Sequence, residues 1–229
     1  MMNSDQNNSR RNFMSALVMG AAAGSLSMLS NPVYASNFAK LDSDVSMSDV
    51  DEWFKQVKGT HRAVFDGSMP HKGFPVLWTF AFYATNNANG TPDEDMTAVC
   101  VLRHNAIPFA MDDGLWSQYK LGEAFEINDM STGKPAMRNV VYEPTDSDFP
   151  VPGVDGIKKL QERGAMFCVC DLALKVYSGF TAAKLGMDAA KVYDEWKSGI
   201  LPGIQIVPSG VLALGRAQEH NCGYIFAGE

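Results

Sequence analysis

The chain is poor in the residues that most often announce a chemistry. Four cysteines and four histidines are spread over 229 residues. None falls into CxxC, HExxH or CxxCH spacing, which leaves no ready-made zinc, metalloprotease or c-type haem site. There is no GxGxxG turn and no Walker lysine to cradle a nucleotide phosphate, and no GxSxG elbow to mark a serine hydrolase. Basic residues are outnumbered: 19 Lys and Arg face 26 Asp and Glu, a net charge of −7. A surface of that sign attracts neither phosphate backbones nor anionic lipid head groups, so nucleic acid and charged membranes drop out as expected partners. Cysteine is also too sparse for a disulfide scaffold.

What is present is the composition of a globular domain, 46% hydrophobic and 20% charged with no low-complexity tract, and one ordinary domain fits the length. The N-terminus has a different character. Ser9-Arg10-Arg11-Asn12-Phe13-Met14 precedes an apolar stretch from Ala16 to Leu29, and Val33-Tyr34-Ala35 then supplies small residues at the −3 and −1 positions of a leader-peptidase site. This pattern is a twin-arginine export signal covering residues 1–35. The alternatives are an ordinary Sec signal or a membrane anchor; the anchor is disfavoured because the Gly-, Ala- and Ser-rich run is short for a hydrocarbon core ~30 Å thick. The expected location is periplasmic, the expected partner is the twin-arginine translocase, and no stable membrane span remains after cleavage. Because that route carries proteins already folded, a cofactor or oligomer loaded before export is in keeping with it, but the sequence identifies no cofactor.

Cys100, Cys168, Cys170 and Cys222 form an even set that an oxidising compartment permits to pair. All four sit in or beside apolar runs, where a free cysteine is equally a small buried hydrophobe. Both readings stay open at this point.

Along the remaining chain, residues 36–75 read as an N-terminal extension with one helix, Ser48 to Val57, capped by Ser48 and Asp51 and carrying Val50, Trp53, Phe54 and Val57 on one face. Val76 to Tyr83 is a continuous apolar and aromatic run between Pro75 and a turn cluster and reads as a buried strand. Ala98 to Arg103 reads as a second strand. So short a link implies either a truncated crossover or an antiparallel pair. Asn105 to Tyr119 is helical with a break near Asp113-Gly114, and Gly122 to Pro152 is a polar excursion that suits a lid, a subunit contact or a surface insertion.

The C-terminal third is the most regular. The expected order is a helix from Val154 to Arg163, a strand from Ala165 to Val169 and a helix from Asp171 to Leu185 closed by Gly186. A helix from Asp188 to Lys197, a strand from Gly203 to Val207, a helix from Ser209 to His220 and a strand from Cys222 to Phe226 follow. Strands alternating with helices imply a three-layer α/β/α sandwich on a mostly parallel sheet, with ligands at the strand C-terminal ends.

Two strand ends attract attention. Cys170 stands between a buried strand and the first turn of a helix, where unpaired N–H groups favour a thiolate and make a nucleophile or sulfur carrier. Asp171, if it caps that helix, opposes the effect. Cys168 lies on the same side of the strand about 7 Å away, beyond the ~3.8 Å Cβ separation of a disulfide. At the second strand end, Ser209 can cap the next helix and Gly210 gives a ligand access to backbone, a weak anion site. Arg103-His104 also ends a strand, and His104 or His61 offers a base, a proton donor or a metal or haem ligand, against the commoner role of a hydrogen-bonding structural histidine.

The segments Ala98-Val-Cys-Val-Leu-Arg-His104, Gly164-Ala-Met-Phe-Cys-Val-Cys-Asp171 and Leu201-Pro-Gly-Ile-Gln-Ile-Val-Pro-Ser-Gly-Val211, with the ending Gln218-Glu219-x-x-Cys222-Gly-Tyr-Ile225, resemble the DsrE/DsrF-like sulfur-relay family over residues 75–227. The resemblance implies a three-layer α/β domain over residues 36–229, assembly into homo- or hetero-oligomers, and sulfur carried as a persulfide on a strand-end cysteine, for which Cys170 is the matching position. His104 and Arg103 then line its pocket, and Ser209 and Gly210 join as binding residues. Two departures stand out: the relay proteins of that family are cytoplasmic, and the strand here carries an extra cysteine at 168. The other reading is a non-catalytic periplasmic binding protein for haem, a metal or a small anion, built on His104 or His61.

Overall fold

A computed structural model describes residues 43–228. Arg10, Arg11 and Ala35, with the whole of the expected export signal, lie outside the described residues. Among the described residues, five strands form one sheet: β1 (His61–Gly67), β2 (Met96–Leu102), β3 (Met166–Cys170), β4 (Ile204–Val207) and β5 (Gly223–Phe226). Their order across the sheet is β4-β3-β2-β1-β5, and every pairing is parallel.

The order dictates the layers. From β1 to β4 the chain steps steadily in one direction, and right-handed crossovers put those connections on one face; the return from β4 to β5 runs the opposite way and lands on the other. Helix α2 (Phe74–Ala88) carries the chain from β1 to β2, and α6 (Asp171–Leu185) with α7 (Ala189–Ser198) carries it from β3 to β4. Helix α8 (Gly210–Glu219) makes the return and touches all five strands, beside α1 (Met47–Phe54). Two separate cores result. Ala98, Cys100 and Leu102 of β2 pack with Val76, Leu174 and Trp196; Val99 and Val101 pack with Val50, Phe54, Ala213 and Ala217. That alternation along one fully buried strand is the period-2 pattern of a sheet covered on both faces, and the domain is a three-layer α/β sandwich.

Several expectations need correction. Val76 to Tyr83 is not a strand but the middle of the 15-residue helix α2. Its apolar side chains lie all round the helix: Val76, Leu77, Thr79 and Tyr83 are buried, Phe80 and Phe82 pack partly against the core, and Trp78 stays exposed. A helix of this kind has no amphipathic period to give it away. The strand paired with β2 is β1 instead, so the pair is parallel and α2 is the full crossover it requires. Residues 36–75 are therefore no simple extension, since β1 lies between β2 and β5 in the sheet. Helix α1 starts earlier than expected, and its cap is Ser46, whose side chain accepts from the Asp49 N–H. The segment after β2 is a 3-10 helix, His104–Ala110, and then α3 (Asp113–Tyr119) capped by Asp112. A short helix α4 (Leu121–Ala124) follows, and α5 (Ile157–Glu162) leads into β3.

The polar excursion between α4 and α5 has no helix or strand, yet it is packed. Ile127, Ala136, Val140, Val141 and Phe149 join the first core. Buried Asn139 donates to the carbonyls of Phe109 and Met111 and accepts from the N–H groups of Val141 and Tyr142. Asp148, buried, binds Arg138 at 2.7 Å and the Thr145 N–H at 2.6 Å. With its polar groups satisfied in this way, the segment is an integral surface insertion.

Candidate functional site

All strands being parallel, their C-terminal ends share one edge, and α2, α6 and α8 begin there. Register fixes who meets whom. Leu102 is level with Val169, so the next pair along is Arg103 and Cys170; Asp66 is level with Val101 on one side and Phe226 on the other.

Cys170 is the last residue of β3 and the N-cap of α6. Its own sulfur accepts from the Ala173 N–H at 3.3 Å, so the cap is Cys170 and not Asp171. The residue is only 6% exposed. Burial pushes the thiol up from its ordinary value; the N–H groups of Gly210 and Ala173 pull it back, and the charge of Asp171 adds to the rise. The expected depressed pKa is thus not realised, because withdrawal from water outweighs the helix N–H groups. Cys170 rests as a thiol. Asp171 is itself buried and its carboxylate is engaged three ways: Tyr193 donates at 2.5 Å, Ser43 at 2.9 Å, and Lys175 lies at 3.2 Å.

Cys168 does not accompany Cys170. It packs in the second core, whereas Cys170, with its sulfur turned to cap the helix, packs in the first. Burial holds the Cys168 thiol well above its usual range and pushes Cys100 to about 12. All four cysteines are free and buried, which leaves Cys100, Cys168 and Cys222 as packing residues.

Arg103 is the surprise of this edge. Its Nε and Nη2 donate to the two oxygens of Asp66 at 2.6 and 2.9 Å, and Asp66 also accepts from the Tyr224 hydroxyl at 2.8 Å. The Asp66 side chain is 3% exposed, and such a buried carboxylate requires this pairing. The arginine stem crosses the start of α8 directly over Gly210. Gly210 therefore does not hold open a berth for a ligand, as expected from sequence; it makes room for Arg103. Ser209 caps α8, its hydroxyl accepting from the Leu212 N–H at 3.1 Å.

His104 follows with a left-handed φ of 50°, a conformation rare for a non-glycine residue and enriched at functional sites. The Tyr177 hydroxyl donates to Asn105 Oδ1 at 2.6 Å and lies 2.7 Å from His104 Nδ1. A hydroxyl has one proton, so Nδ1–H donates to Tyr177 and Nε2 keeps its lone pair. Partial burial, then the charge of Arg103, lowers the histidine pKa, and the ring is neutral at neutral pH. His61 is at the first residue of β1, the opposite edge of the sheet. The two histidines cannot share a ligand, and among the described residues no three of His, Cys, Asp and Glu gather to hold a metal ion. A surface cleft of ≈ 480 Å³ beside α5, lined by Tyr142, Glu143, Asp155 and Lys158 among others, shares no residue with the Cys170 edge. Its two lysines are paired, Lys158 with Glu143 and Lys159 with Asp155.

The structure thus brings Cys170, Arg103 and Gly210 together, sets His104 and Ser209 on the same edge, and separates His61. Sequence reasoning missed Asp66 and Tyr224. A carboxylate directly after the apolar Ala63-Val64-Phe65 was the available signal for the first; nothing local marked the second.

No protein-family model matches the chain, and no curated protein matches it. Among solved structures, a protein of unknown function from Methanobacterium thermoautotrophicum is similar at 17% identity, over 73% of this chain and 99% of that one, with a TM-score of 0.39. The fold class rests on the strand order and the two cores. No helix among the described residues is long and apolar enough to cross a membrane.

Proposed function

We propose that this is an exported, DsrE-like sulfur-handling protein in which Cys170 accepts sulfane sulfur and passes it on as a persulfide. The observation that supports this most is the placing of the Cys170 sulfur: at the strand end, capping α6 through Ala173 N–H and in register with Arg103. A persulfide adds one S–S bond of about 2.05 Å, which sets the reactive outer sulfur one bond beyond the buried Cys170 sulfur. The outer sulfur of a perthiolate is anionic and is met by the helix N-terminus and the guanidinium. A haem or metal site on the histidines has less behind it, since His61 and His104 stand at opposite edges of the sheet.

The test is the intact mass of protein purified from periplasm without reductant. The expected result is an adduct of roughly 32 Da that thiol removes, that maps to Cys170, and that is missing from a folded Cys170→Ser variant. An unmodified mass in every preparation, or an adduct mapping to another cysteine, sinks the reading.

A further inference from the structure

Resting on that reading, we infer that Cys170 takes its sulfur from an anionic donor, a sulfane sulfur attached to an oxyanion, and that Arg103 recognises the donor from a position set by Asp66 and Tyr224. The guanidinium is held at two of its three nitrogens by one buried carboxylate. Nη1 makes no hydrogen bond among the described residues. One bidentate pair of hydrogen bonds fixes the guanidinium plane and leaves the third nitrogen a directed donor rather than a swinging charge. The Tyr224 hydroxyl on Asp66 keeps that carboxylate from turning away, and the arginine stem packs on Gly210 at the start of α8, whose own N–H reaches the Cys170 sulfur. Tyr224 and Asp66 are positioning residues; Arg103 is the contact.

This cationic patch is at odds with the rest of the surface. In a chain of net charge −7, the Cys170 edge presents Arg103 and the N-terminal ends of α6 and α8, and the neighbouring carboxylates Asp66 and Asp171 are both buried and fully engaged. Local donors of this kind select anions against an unfavourable global charge, because salt screens distant charges more than adjacent ones. With thiosulfate as the representative donor the step balances. The Cys170 sulfur attacks the sulfane sulfur, the S–S bond of thiosulfate breaks, and its electron pair leaves with sulfite. The thiol proton departs on that sulfite as bisulfite, leaving a perthiolate on Cys170.

The experiment incubates the processed, thiol-reduced protein with sodium thiosulfate and follows the mass gain at Cys170, with alkylation of the same residue by uncharged iodoacetamide as a parallel measure of thiol access. Loss of one charge-assisted contact predicts a fall of at least ~10-fold in loading for Arg103→Gln, partial recovery for Arg103→Lys, and an intermediate fall for Tyr224→Phe. Iodoacetamide labelling changes by less than ~2-fold in all three, which a merely structural role for the pair would not give. Wild-type loading by Arg103→Gln overturns the inference and leaves the sulfur-carrier reading standing. So does failure of wild type to load from thiosulfate when protein from the periplasm carries sulfur on Cys170. If Cys170 carries sulfur in neither experiment, the reading falls and the inference with it.

Discussion

A β-carbon added to Gly210 would lie 2.6 Å from Cβ of Arg103 and 2.9 Å from its Cδ. No pair of carbons tolerates that distance, so Gly210→Ala must push either the start of α8 or the arginine stem. The arginine is the softer of the two, but it is tied to Asp66 at both carboxylate oxygens. We expect Gly210→Ala to cost about 1–3 kcal/mol of stability, the range of overpacked positions, and to lower sulfur loading of Cys170 alongside. Denaturant midpoints and the thiosulfate assay check the two effects separately. Unchanged stability would mean that Arg103 moves freely and is not held as described.

Asp171 is a second place where stability and reactivity pull apart. Its carboxylate collects Tyr193, Ser43 and Lys175, and its charge raises the Cys170 pKa. Asp171→Asn keeps the shape, turns one acceptor into a donor facing donors, and removes the charge. The expected outcome is a loss of about 1–3 kcal/mol together with faster alkylation of Cys170 by iodoacetamide at neutral pH, roughly threefold or more, as the thiolate fraction grows. A slower reaction in a folded variant contradicts the assigned electrostatics.

The parts of this structure that sequence made legible are those with local punctuation. Helix α6 ends at Gly186 with φ 65°, and β3, α7, β4 and α8 each meet a glycine, proline or capping residue at their borders, so period and punctuation agree. Helix α2 was hidden because its apolar residues encircle it and imitate a buried strand. Strand β1 was hidden in turn, since His61-Arg62 opens it with polar side chains and the buried run that follows is short. At the site, Cys170 could be placed from its junction between strand and helix. Its partners could not: Asp66 lies 37 residues before Arg103 and 158 before Tyr224, and only the strand order brings the three to one edge.

The buried thiols set an alkaline limit on the fold. Cys100 is pushed up to about 12 and Cys168 well above its ordinary value, both by burial, whereas an unfolded thiol ionises near 8.5. Between those values the folded chain keeps protons that the unfolded chain has lost. Stability is therefore intact below about pH 8.5 and falls as pH rises toward 12, by about 1.4 kcal/mol per pH unit for each such thiol. Chemical denaturation at pH 7, 9 and 10 should show the decline, and Cys100→Ala, less stable at pH 7 because of its small cavity, should show a shallower one. Equal slopes in the two proteins would place the pH dependence elsewhere.

His104 allows backbone and side-chain effects to be separated. Its φ of 50° suits glycine and resists a β-branched residue, while its Nδ1 bonds the Tyr177 hydroxyl. His104→Gly loses the hydrogen bond but relieves the backbone, and His104→Val loses the hydrogen bond and adds strain. We expect the valine variant to be less stable than the glycine variant by about 1–3 kcal/mol, read from urea unfolding at fixed pH. Sulfur loading of Cys170 supplies the other half of the test. If the glycine variant, with its backbone turn intact, loads at the wild-type rate, the histidine serves the fold alone; if it loads slowly while Cys170 still reacts with iodoacetamide, the Nε2 lone pair belongs to the chemistry of this edge.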